Sequence, residues 1–241
     1  MRRRDLLRQL ALGIGGVWAH TSGARAAAAA TEREALRAGA CWITPEGDEG
    51  PFYFDSPFRS DIRESKDGVP FSLAITVIDN TCNPVPGVLV DVWHCDKGGV
   101  YSGVRIGLPP ILGQSFLRGT QTTDADGKAQ FTSIYPGWYT NRATHVHFKV
   151  RTVDTPYKTS QFAFPEAIND AVYATPLYAG RGPNPMSNAG DPEFSSATPQ
   201  YRMVDLTGDP TSGFQGTFTI GLDATTGTRR PTWGALKTLY R

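Results

Sequence analysis

The sequence predicts an all-β fold, an antiparallel β-sandwich with long loops and little helix. Three observations predict it. Apolar residues alternate with a period of two along several short runs, as in half-buried strands. Clusters of turn-forming residues separate those runs at short spacing, and the 241 residues include 26 Gly and 18 Pro. Runs with the 3.6-residue period of an amphipathic helix are scarce, which favours a sandwich over an α/β architecture.

Residues 1–30 are an address rather than part of the fold. A basic start is followed by an apolar stretch from Leu10 to Trp18 and by small residues that offer A-x-A cleavage sites around Ala24-Arg25-Ala26. That stretch is too short to span a membrane. Arg3-Arg4-Asp5-Leu6-Leu7-Arg8 resembles a twin-arginine export signal more than a general secretory one. The expectation is export to the periplasm or beyond, leaving residues 31–241 as a single domain with no membrane span. Within it, only residues 31–39 before the first turn-rich segment have helical character.

The remaining elements follow in order. Residues 44–58 are aromatic and turn-rich, too hydrophobic for a free tail, so they pack on the domain. Residues 71–78 form a strand, with Phe71, Leu73, Ile75 and Val77 on one face, and 79–86 turn the chain. Residues 87–95 form a second strand, with Val88, Val90 and Val92 on one face, and 96–99 turn again. Residues 123–127 are a hairpin-type turn leading into a strand over 128–134. Residues 145–150 form a strand with Val146, Phe148 and Val150 on its apolar face. Residues 165–170 make a short helical turn, 180–199 a long surface loop, and 214–222 a last strand.

The charge balance is close to neutral: 24 Lys and Arg against 23 Asp and Glu give a net charge of +1. Nucleic-acid binding, which needs a basic excess to neutralise phosphates, is excluded as a function class. Cys41, Cys82 and Cys95 remain after the signal, in a compartment that permits disulfides. Two readings stay open: a Cys82–Cys95 bridge with Cys41 free, or three buried thiols.

Four His limit any metal site. His20 leaves with the signal, and His94 faces with Val90 and Val92 and is structural. His145 and His147, at i and i+2 on a strand, point to the same face while Val146 and Phe148 supply the other. The pair is either two metal ligands or two surface histidines. Tyr139 lies six residues before it, after a Pro-Gly turn. A phenolate is a hard anionic ligand suited to Fe(III), whereas zinc sites draw on Cys, His and carboxylates. A Tyr/His set therefore points to ferric iron.

Several ordered motifs resemble the intradiol ring-cleavage dioxygenases, the family of catechol and protocatechuate dioxygenases. They are Glu49-Gly50-Pro51-Phe52-Tyr53, Arg59-Ser60-Asp61-Ile62-Arg63-Glu64, Asp91-Val92-Trp93-His94-Cys95-Asp96 with Gly99-Val100-Tyr101-Ser102-Gly103, Phe116-Leu117-Arg118-Gly119 with Thr123-Asp124-Ala125-Asp126-Gly127, and residues 134–139 with Arg142-Ala143-Thr144-His145-Val146-His147. The resemblance runs from about residue 44 to 161. It implies one mononuclear non-haem Fe(III) held by Tyr101, Tyr139, His145 and His147, with Tyr139 the ligand that leaves when substrate binds. It implies Arg142 as the cation stabilising negative charge on the ring, Gln161 as a second polar residue near the iron, and Pro51 in the substrate pocket.

The implied reaction opens a catechol-type ring between its two hydroxylated carbons with O2, giving a muconate-type dicarboxylic acid. Catechol-cleaving relatives dimerise through an N-terminal helical domain; here only residues 31–39 have helical character, which speaks against that dimer mode and leaves homo-oligomers open. Two rival readings are a non-catalytic secreted sandwich binding carbohydrate or aromatic ligands through exposed Trp93, Trp138 and Tyr53, and a zinc or copper hydrolase-like site on the histidine pair. The second lacks a well-placed carboxylate next to the histidines.

Overall fold

Residues 41–103, 112–195 and 202–223 are described by the structure, a computed structural model. The export signal over 1–30 and the helical character of 31–39 lie outside the described residues.

Strand β1 (Pro70–Asp79) buries Phe71, Leu73, Ile75 and Val77 on one face, as period-two patterning requires. It is followed by β2 (Leu89–Trp93), β3 (Arg118–Thr122), β4 (Lys128–Ile134), β5 (His145–Arg151) and β6 (Pro156–Ala163). A helix, α1 (Glu166–Tyr173), and a 3-10 turn (Ala179–Arg181) precede β7 (Asp205–Asp209) and β8 (Gly213–Leu222). The strands form two four-stranded sheets, ordered β4-β1-β8-β7 and β3-β2-β5-β6. Pairing is antiparallel except between β1 and β8, which run parallel. The expected sandwich is the one observed, with that one parallel pair added. No helix among the described residues is long and apolar enough to cross a membrane.

The core lies between the sheets. Val90, Val92, Val146, Phe148, Val150 and Phe162 face the first sheet's Phe71, Leu73, Ile75, Val77, Phe218 and Ile220. Phe218 packs against Phe162 and Phe148 with ring centroids 4.8 and 5.5 Å apart. Burying such side chains stabilises by about 1.5–3 kcal/mol each. Turn chemistry closes the strands: Asp124 Oδ1 accepts the Asp126 and Lys128 amides, and Asp96 Oδ1 accepts those of Gly98 and Val100.

Three expectations are corrected. Cys82 bonds Cys41, with Cα atoms 5.1 Å apart, and Cys95 is the free, buried thiol. Cys95 lies two residues past the end of β2 and donates to the Gly137 carbonyl, while Cys82 sits in the β1–β2 turn and is bonded to Cys41. Separation along the chain misled here, because the strand between Cys82 and Cys95 carries them apart. The stretch after the 3-10 turn is a surface loop over most of its described part, but near its end it turns inward, fully burying Asp191 and nearly so Phe194. Finally, α1 runs on to Tyr173, whose hydroxyl meets Thr144 Oγ1 at 2.6 Å and pins the helix beside β5.

The other face of sheet β3-β2-β5-β6 is polar and is covered by residues 44–58. This strap begins with the Thr44 amide bonded to the Gly221 carbonyl and runs along β6, where the Gly47 amide donates to the Thr159 carbonyl. Tyr53 lies on Trp93 and donates to Asp91 Oδ2, and Lys149 pairs with Glu49 and sits 3.6 Å above the Tyr53 ring. Asp91 is wholly buried but fully partnered by Arg151, Tyr53 and Thr120.

Candidate active site

The strap and the sheet enclose the site. Cross-strand register sets Arg118, Trp93, His147 and Gln161 in one row across β3, β2, β5 and β6, all on the strap-facing side. His145 precedes His147 on that side. Trp93 stacks on His147 with ring centroids 4.9 Å apart and planes 9° apart, which fixes the imidazole. Tyr101 arrives from the turn after β2 and is buried under Phe52, its ring centroid 4.5 Å away.

Three donor atoms converge. Tyr101 Oη lies 3.1 Å from His145 Nε2, which lies 3.1 Å from His147 Nε2. The Ala143 carbonyl, 2.6 Å from His145 Nδ1, accepts that nitrogen's proton and so leaves the Nε2 lone pair facing the cluster. Donors about 3 Å apart are what ligands about 2.1 Å from a shared ion show at near right angles. His147 Nδ1 is buried with no hydrogen-bond partner among the described residues, so this imidazole is not held by a polar network of its own. Burial lowers the His145 pKa to about 4, with Arg142 adding repulsion, and holds that of His147 well below its ordinary value. Both rings are neutral at pH 7, the form that ligates metals. Burial raises the Tyr101 phenol well above its ordinary value, so ionising it calls for a strong local positive charge. No group of three or more His, Cys, Asp or Glu among the described residues is placed to hold a metal, and the third polar atom at the imidazole pair is the Tyr101 oxygen.

Of the other expected residues, Tyr139, Arg142 and Gln161 are gathered at the same place, in different ways. Tyr139 brings its ring edge-on to Phe52 and Tyr101, at 5.3 and 5.8 Å. The oxygen that meets the imidazole pair directly is that of Tyr101. Arg142 donates from Nη2 to Gln161 Oε1 at 2.5 Å, and Gln161 Nε2 donates to the Asp48 carbonyl at 2.6 Å. Gln161 thus ties the cation to the strap. Pro51 is exposed on the strap, between Gly50 and Phe52. Gly50 has φ +70°, and a Cβ there would stand 3.3 Å from His147 Cε1, so glycine lets the strap close over the imidazole.

Asp191 escaped the sequence reading. Its Oδ2 accepts from Arg142 Nε at 2.8 Å and from the Ala143 amide at 2.7 Å, which joins the cation to the residue that orients His145. No local pattern in a Pro-, Ser- and Asn-rich stretch marks it. His94 lies off the site: its ring nitrogens meet the Cys95 carbonyl and Ser133 Oγ, as a structural histidine should. The rival aromatic platform is not formed. Trp93 is fully buried, Tyr53 is engaged by Asp91, and Trp138 is packed under Arg181.

A family model described as dioxygenase matches residues 49–179, more than half of the chain. Catechol 1,2-dioxygenase 1 of Acinetobacter lwoffii is 31% identical over 176 residues, which cover 61% of this chain and 54% of that protein. The chain therefore spans about half the length of the curated relatives it matches. Among solved structures, an intradiol ring-cleavage dioxygenase from Tetranychus urticae superposes with a TM-score of 0.71 at 25% identity, covering 80% of this chain and 98% of that one. The dioxygenase domain of a dioxygenase carbohydrate-binding protein fusion from Streptomyces sp. SirexAA-E gives 0.56 at 30% identity, covering 76% and 99%. By the matched family model, its relatives and its fold, the chain belongs to the intradiol ring-cleavage dioxygenase family.

Proposed function

We propose that the chain is an exported, mononuclear non-haem Fe(III) dioxygenase that opens catechol-type rings between the two hydroxylated carbons. The carrying observation is the convergence of Tyr101 Oη, His145 Nε2 and His147 Nε2 at 3.1 Å spacings in a buried pocket with Arg142 close by. Tyr101, Tyr139, His145 and His147 are the proposed ligands. Ferric iron held there would supply Lewis-acid chemistry, withdrawing electron density from a catecholate so that the ring could react with O2. The first thirty residues support the export reading, and residues 31–241 are the proposed enzyme domain.

The chain's own groups do the rest. Catechol would shed two hydroxyl protons to chelate: Tyr139, as the leaving ligand, would take one at its phenolate oxygen, and hydroxide from solvent would take the other and leave as water. His145 and His147 stay neutral, so the site does not accumulate positive charge. Arg142 is a fixed cation, aimed by Asp191 and Gln161, that stabilises negative charge developing on the ring. Phe52, stacked on Tyr101, and Gly50, set against His147, bring the strap over the proposed ligands.

Oxygen uptake over a panel of catechols, with product identification, tests the proposal. One O2 consumed per catechol and a muconate-type diacid retaining every ring carbon are expected. Cleavage beside the hydroxyl pair, or no uptake by iron-loaded protein with any catechol, would contradict it.

A further inference from the structure

Arg118 is an unexplained cost in the fold. Its side chain is fully buried, yet among the described residues no carboxylate pairs with it. The nearby buried acid, Asp91, is spent on Arg151, Tyr53 and Thr120. Arg118 Nε donates to Ser102 Oγ at 2.9 Å and Nη2 to the Ser102 carbonyl at 2.8 Å. Nη1 is buried with no partner among the described residues, and the guanidinium rests 4.2 Å from the Phe54 ring centroid. A buried cation held only by neutral acceptors and one aromatic face is unfavourable unless a negative charge comes within reach. Both of its firm hydrogen bonds end on the residue that follows Tyr101. It also stands in the cross-strand row with Trp93 and His147.

We propose that Arg118 is a positioning residue of the metal site, which fixes Tyr101 for ligation through its two hydrogen bonds to the neighbouring Ser102. This rests on the ferric reading above. The guanidinium is clamped between Ser102 and the Phe54 ring, so the turn that carries Tyr101 is held against β3.

The test compares full-length wild type, Arg118→Met, Arg118→Lys and Ser102→Ala. It reads the position of the tyrosinate-to-iron absorption band, iron affinity by chelator competition, and the melting temperature of the metal-free chain. Arg118→Met is expected to bind iron about 10- to 100-fold more weakly, as loss of an outer partner of a ligand does. Its band should shift, because the Tyr101 oxygen is no longer held in one position through Ser102. Its metal-free chain should melt no lower than wild type. Arg118→Lys should recover most of the affinity, and Ser102→Ala should shift the band the same way by less. An unmoved band and unchanged affinity in Arg118→Met, with a lower metal-free melting temperature, would mean that Arg118 only fills space and overturn the proposal. If Arg118→Met does not fold, Ser102→Ala decides, and a wild-type band and affinity there overturn it. A wild type that binds iron without any such band would instead overturn the ferric tyrosinate reading itself.

Discussion

Asp191 joins two of the side chains on which the chemistry depends. Its carboxylate takes the Arg142 Nε–H and the Ala143 amide, and the Ala143 carbonyl orients His145. Asp191→Asn keeps an acceptor for the amide but removes the charge that aims Arg142. Turnover of a catechol should fall about tenfold while iron content holds. Arg142→Leu should cost about 100-fold in kcat, the usual loss when one fixed stabiliser of transition-state charge is removed, again with iron retained. Steady-state kinetics beside iron analysis check both, and loss of iron in either variant would mean that these residues serve the metal instead. The histidine pair was legible because i and i+2 on a strand must share a face. Tyr101 was not, being one of nine tyrosines, and only the family resemblance singled it out. Asp191 lies 49 residues from Arg142, and nothing in its local sequence announces a buried ion pair.

The strap over residues 44–58 is the element that turns a sheet face into a pocket, and its near end is tied down by Cys41–Cys82. Reducing this bridge should lower stability by about 2–4 kcal/mol. The reduced chain should melt several degrees lower, and an unchanged melting temperature would contradict the tether. Thiol titration of denatured, unreduced protein should find one thiol, that of Cys95. In the folded state this thiol should be inert, since burial raises its pKa to about 12. Strands β1, β2, β4, β5 and β8 were visible because one face of each is apolar. β3, β6 and β7 were not, for they are rich in Thr, Ser, Gln and Asp and lack clean alternation. In β3 and β6 the reason is physical. The strap covers their outward residues, so polar side chains such as Arg118 and Gln161 are buried on that face and blur the pattern.

Among the described residues, His94, His145 and His147 are buried without charge. His94 and His145 have their pKa values lowered to about 4 from an ordinary 6.5, chiefly by burial, and burial holds His147 well below its ordinary value too. Between about pH 6.5 and 4 the unfolded chain binds protons that the folded chain refuses. Stability is therefore complete above pH 6.5 and is lost as the pH falls through that window, by about 1.4 kcal/mol per pH unit for each such histidine. Denaturant unfolding of the metal-free protein at pH 7, 6 and 5 should show this fall, and a flat profile would contradict neutral burial. The sandwich itself was legible from strand periodicity and turn spacing. The strap's path and the parallel β1–β8 pair were not, because both depend on contacts between distant segments. The most direct test of a tyrosine-ligated ferric site is the visible spectrum of the iron-loaded protein. A broad tyrosinate-to-Fe(III) band giving a burgundy colour is predicted, altered in Tyr139→Phe and lost with the iron in His147→Ala. A colourless protein carrying one iron per chain would contradict it.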